Sequence, residues 1–268
     1  MRITDARTGE HAEIRPRRAG LLRVAVAVGV QDHRFDLADL RALLAGDVLA
    51  RTCEVQGVQV FIELVVPDSS DDQVRTLLSA ADQLGIHPPA QLSTCHEADD
   101  GGRVAADVVV TSRPHRRPGT RSPVVLVTGP VSAELSNGSL ELPADLSDIS
   151  PAPEYDPFAL RLVFLEHAVT DPVRLTAAAL TDAAGRLSRW RSFVADLACV
   201  PSGSLDADMV QASFDGLNEG LDARVALRAL RALEERADLP DGTRFETCVR
   251  LDQILALELA RDIGRRAR

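Results

Sequence analysis

The chain has 268 residues, of which 45% are hydrophobic, 26% charged and 3% aromatic, proportions that fit a globular protein of one large or two modest domains and exclude a disordered chain. Thirty basic residues stand against 40 acidic ones, a net charge of −10, and every basic residue is arginine. The absence of lysine excludes a phosphate-loop lysine and a Schiff-base lysine, and the acidic balance argues against broad nucleic-acid binding, which needs a coherent basic surface.

The first half alternates strand-like and helix-like patterns, the signature of an α/β domain with a largely parallel sheet. Leu21 to Val30 reads as a buried strand ending near Gly29. Leu40, Leu44, Val48 and Cys53 share one helical face, and Gly57 closes that helix. Val58 to Val66 forms the next strand, so strand, helix and strand make a βαβ unit whose ligands sit beyond the carboxyl ends of the strands. A second helix runs through Val74, Leu77, Leu78, Ala81 and Leu84, opened by Ser70-Asp71-Asp72. Asp107–Thr111 and Val124–Thr128 read as two more strands around an arginine-rich loop.

Residues 129–157 are rich in Ser, Pro, Asp and Gly and mark a domain junction. Beyond it Leu180, Ala183, Leu187, Trp190, Val194 and Leu197 step by three and four, a helix buried along one stripe with Trp190 in the core. Met209–Leu221, Arg224–Ala237 and Phe245–Ile263 repeat the pattern, which predicts a helical bundle from about 158 onward. The four cysteines are far apart and in no metal-ligand spacing, so they read as reduced, mostly buried thiols. With no signal pattern at the N-terminus and no long apolar run, the expectation is a cytoplasmic protein without a membrane span.

Three segments resemble cysteinyl-tRNA synthetase and, more closely, its sister family, the mycothiol-pathway cysteine ligases. The first comprises Arg2-Ile3-Thr4-Asp5 and Arg18–Gly57, which keeps the family's frame through Asp47-Val48-Leu49-Ala50-Arg51, followed by Pro67-Asp68-Ser69-Ser70-Asp71. The second is Tyr155–Leu162 with Arg186-Leu187-Ser188-Arg189-Trp190-Arg191, similar to the ligase's Arg-Leu-x-Arg-Trp-Arg. The third is Leu217–Arg224, similar to the family's turn between helices. The resemblance implies a Rossmann-like degenerate catalytic domain over 1–150 and a helical bundle domain over 151–268. It also implies a shortened chain, with no anticodon-specific tRNA recognition.

The departures from the family bear on chemistry. Its first zinc-ligand cysteine falls on Ala27, which cannot ligate a metal, so no zinc is expected. Its His-Ile-Gly-His signature becomes Asp36, Leu37, Ala38 and Asp39. Histidines there donate to ATP phosphates, whereas carboxylates only accept. A carboxylate about 4 Å from a phosphate charge is repelled by roughly 4 kcal/mol at an effective dielectric near 20. The family's lysine signature has no counterpart, and Glu134–Ser139 is its nearest positional remnant.

The leading expectation is therefore a non-catalytic paralogue, a pseudoenzyme that binds a partner protein or a small ligand. Its candidate ligand-binding residues are Gly29, Asp32, Asp36, Asp39, Asp68 and Gly129; Arg113, Arg116 and Arg117 are candidate anion or RNA contacts. Asp36 and Asp39 read first as helix caps, with Asp68, Asp71 and Asp72 capping the next helix. The alternative is a repurposed ATP-dependent amino-acid ligase or adenylate-forming enzyme, in which Mg²⁺ held by Asp36 and Asp39 bridges the phosphates. A third reading is an obligate oligomer with complementary chains, where only a hetero-oligomer could restore a lysine.

Overall fold

A computed structural model describes residues 1–29, 34–95, 106–113, 123–134 and 156–265. Its centre is a five-stranded parallel sheet of β3 (Leu21–Ala27), β4 (Gln59–Pro67), β5 (Gln91–Cys95), β6 (Val108–Thr111) and β7 (Val124–Val127), in the order β5-β4-β3-β6-β7. Before it comes an antiparallel hairpin of β1 (Arg2–Thr4) and β2 (His11–Glu13). The chain grows outward from β3 through β4 to β5 and then returns to β6 on the other side of β3. The strand order thus reverses between β3 and β6, the position where doubly wound sheets open a crevice at the carboxyl ends of their strands.

Helix α1 (Leu37–Val55) connects β3 to β4 and packs against β3, β4 and β6; α2 (Asp71–Gln83) connects β4 to β5. Both start on reciprocal capping boxes, Asp36 with Asp39 and Ser70 with Gln73. At the end of α1, Gly57 takes φ +85° and its N–H donates to the Glu54 carbonyl, the left-handed stop expected of that glycine.

The second half holds α3 (Pro157–Leu165), β9 (Val173–Thr176), α4 (Ala177–Leu197), α5 (Ala207–Asn218), α6 (Arg224–Glu235) and α7 (Asp241–Leu255). Three features depart from the sequence-based expectation. The segment read as junction contains β8 (Val131–Glu134), which pairs in parallel with β9, a strand the helical periodicity hid. The edge strand β5, polar and only five residues long, also went unread. The last helix stops at Leu255 instead of continuing to Ile263, because Ala256 turns into the left-handed region at φ 47° and the Asp252 carboxylate accepts the N–H groups of Leu257 and Leu259.

One apolar core runs through both halves: Leu22, Val24 and Val110 from the sheet, Leu40, Leu44 and Val48 from α1, and Leu162, Leu187, Trp190 and Leu251 from the helices. Trp190 is buried as its place on the stripe predicts, with its indole N–H donated to Glu234 at 2.8 Å. Arg161, fully buried, joins the halves by donating to the carbonyls of Leu255 at 2.7 Å and Leu84 at 3.0 Å and to Asp47 at 2.8 Å. Among the described residues no helix is long and apolar enough to cross a membrane.

Candidate ligand cleft

Gly29 follows the carboxyl end of β3, and Ser112 and Arg113 follow β6, so the crevice between these strands is lined by those residues and by the start of α1. Asp39 occupies it. The carboxylate is fully buried, and its Oδ1 accepts the Gly29 N–H at 3.1 Å and the Ser112 hydroxyl at 2.8 Å. Its Oδ2 accepts the Asp36 N–H at 3.2 Å. Asp36 in turn accepts the N–H groups of Ala38 at 2.8 Å and Asp39 at 3.0 Å. The donors at the helix start and at the strand turn, the groups that would cradle a phosphate, are thus engaged by the chain's own carboxylates.

Burial pushes the Asp39 carboxyl above its usual range and the neighbouring Asp36 charge adds to this; the Gly29, Ser112 and Asp36 hydrogen bonds oppose it. Arg113 lies over the turn, so close that a Cβ placed on Gly29 would meet its Nε at 2.5 Å. Its Nη2 is 3.9 Å from Asp36 Oδ2. An arginine of this chain therefore stands against the glycine that an anionic ligand would approach.

The remaining sequence-predicted residues are dispersed. Asp68 is exposed beyond the end of β4, and α2 is capped by Ser70 in its place, with Asp71 and Asp72 in the first turn. Gly129 faces the interior: its N–H donates to Val169, its carbonyl accepts Arg41 Nη1 at 2.8 Å, and a Cβ there would fall 2.1 Å from the Asp171 carbonyl oxygen. Asp32, Arg116 and Arg117 lie outside the described residues. Ser112 was missed by sequence reading; its signal is its position just after a strand that borders the reversal of strand order, which becomes visible only once the order is known.

Ala27 puts a methyl group where the resemblance places a cysteine, and among the described residues no group of three or more His, Cys, Asp or Glu could hold a metal ion. Cys53 and Cys248 are buried, which pushes their thiols up to about 11 and about 12, away from nucleophilic chemistry.

The parallel sheet with its order reversing at β3 and the helices packed against it define a Rossmann-like α/β fold. In fold it is similar to the arginyl-tRNA synthetase of Thermus thermophilus, with a TM-score of 0.51 and 11% identity over 91% of this chain and 81% of that one. In sequence it is similar to the L-cysteine:1D-myo-inositol 2-amino-2-deoxy-alpha-D-glucopyranoside ligase of Parafrankia sp. (strain EAN1pec), with 36% identity over 127 residues, 47% of this chain and 27% of that protein. The ligase of the same name from Frankia casuarinae is 32% identical over 127 residues, 47% of this chain and 25% of that protein. The matched stretch spans only about a quarter of the length of these relatives. No protein-family model matches the chain.

Proposed function

We propose that this cysteine-ligase-like chain no longer activates an acid with ATP and acts by binding, through a protein partner or a small ligand. One observation carries the reading: Asp39 plugs the switch-point crevice and engages the Gly29 N–H and the Ser112 hydroxyl. To bind a triphosphate there, the protein would have to release those donors and hold two carboxylates against phosphate oxygens, each repelled by roughly 4 kcal/mol at 4 Å.

The test is calorimetric titration of folded, metal-stripped protein with ATP and with a non-hydrolysable cysteinyl-adenylate analogue, each with and without Mg²⁺ or Zn²⁺. The expected result is no saturable heat in any condition. Saturable ATP binding that requires Mg²⁺ and disappears in Asp36→Ala/Asp39→Ala would overturn the proposal in favour of an ATP-dependent ligase or adenylate-forming enzyme.

A further inference from the structure

The parallel sheet ends at β5, which among the described residues pairs with β4 alone. Just before the strand the Ala90 N–H donates to the Ile62 carbonyl. The period of two therefore turns the backbone groups of Leu92 and Thr94 toward β4 and those of Gln91, Ser93 and Cys95 outward. Such an edge is a template for a further strand, and proteins guard it with charge, proline or a bulge. The sequence of β5, Gln-Leu-Ser-Thr-Cys, has neither charge nor proline, and its register with β4 runs from Glu63–Gln91 to Pro67–Cys95 without a break.

The side chains beside this edge are open too. Leu64 is fully buried, whereas its register partner Leu92 is 50% exposed. Helix α2 lies on the same face, since it connects β4 to β5 and packs beside α1. Arg75 and Asp82 are both exposed on α2, about two turns apart on one side of the helix.

We propose that β5 is the contact edge of a homodimer, in which a second copy of this chain adds its own β5 antiparallel and the sheet continues across a two-fold axis through Ser93. Ser93 then faces its own copy and Gln91 faces Cys95 of the second copy, each pair exchanging backbone hydrogen bonds in both directions. Leu92 comes opposite Thr94 of the second copy, which covers its exposed surface. An axis perpendicular to the sheet keeps both α2 helices on one face and sets them antiparallel, so that Arg75 of each copy faces Asp82 of the other. The edge is thus complementary in charge to itself, which favours a second copy over an unrelated strand. The interface is separate from the switch-point cleft, so it stands whether or not nucleotide binding there is lost.

The experiment is sedimentation equilibrium of the full chain across the micromolar range, and twice the chain mass is expected at its upper end. Ser93→Pro removes an outward donor at a position where an edge strand tolerates proline, and it should leave a monomer. Because it also removes the hydroxyl that donates to Glu63, Leu92→Lys serves as a second strand variant; it places a charge on an exposed side chain and should weaken the dimer as well. Arg75→Asp should weaken association by about tenfold, and Arg75→Asp/Asp82→Arg should restore it. That rescue requires two chains, because the two positions are too far apart on α2 to pair within one. A wild-type monomer throughout the range, a dimer undiminished in Leu92→Lys or Arg75→Asp, or a double variant as weak as the single one would each overturn the assignment.

Discussion

Two buried carboxylates on α1 respond to acid in opposite senses. Burial raises the pKa of Asp47, but the charges of Arg161 and Arg51 and their hydrogen bonds outweigh it and hold the carboxyl below the ordinary carboxylate value of 3.8. A depressed folded-state pKa gives stability that is present at neutral pH and lost only as pH falls below 3.8 through the folded value. Asp39 is the reverse: burial, with the Asp36 charge, raises it, so its ionisation costs stability at neutral pH and that cost is relieved as pH falls toward 3.8. Urea unfolding from pH 7 to pH 4 should therefore show wild type gaining stability relative to Asp39→Asn as the acid side is approached; a difference independent of pH would sink this account. At Asp47 the expected loss is large. Asp47→Ala leaves Arg161, fully buried, without its carboxylate, a change worth about 3–5 kcal/mol. The double variant Asp47→Ala/Arg161→Met should recover part of that loss, because it removes the orphaned charge as well.

At the scale of elements, the start of α1 was legible in the sequence as a cap. Asp36 and Asp39 at a spacing of three before an apolar stripe identify a capping box, and that is what they form. Asp36→Ala should accordingly cost about 1 kcal/mol in chemical denaturation, the usual value for losing an N-cap. The contact of Asp39 with Ser112 was not legible, since it depends on β6 lying beside β3, a pairing between segments about 85 residues apart. The same reason hid β8 and β9, whose four-residue strands pair across 42 residues and carry no alternation strong enough to stand out. Gly129, a candidate ligand-binding residue in the sequence, sits at the lead-in to β8 under the Asp171 carbonyl oxygen. Gly129→Ala should displace that backbone and unseat Arg41 together, destabilising by more than the 0.5 kcal/mol typical of surface changes; thermal unfolding measures it.

At the scale of the whole molecule, composition shifts divide the chain into a sheet part and a helical part, yet the packing ties them closely. Arg161 spans α1, the end of α2 and the end of α7. Arg191 donates to the carbonyls of Leu257 and Glu258, stands over Phe158 and pairs with Asp156, fixing the turn after α7 against the start of α3. A continuous apolar cluster fills the space between. If these contacts govern unfolding, neither part should melt alone, because exposing one half uncovers the apolar face and the buried arginine of the other. The chain offers a direct readout, since Trp190 is its single tryptophan and lies in α4, while far-ultraviolet circular dichroism reports sheet and helices together. Urea transitions followed by the two signals should coincide in midpoint and slope. A Trp190 transition displaced from the dichroism curve would show that sheet and bundle unfold separately, and that the Arg161 contacts bridge two units without coupling them.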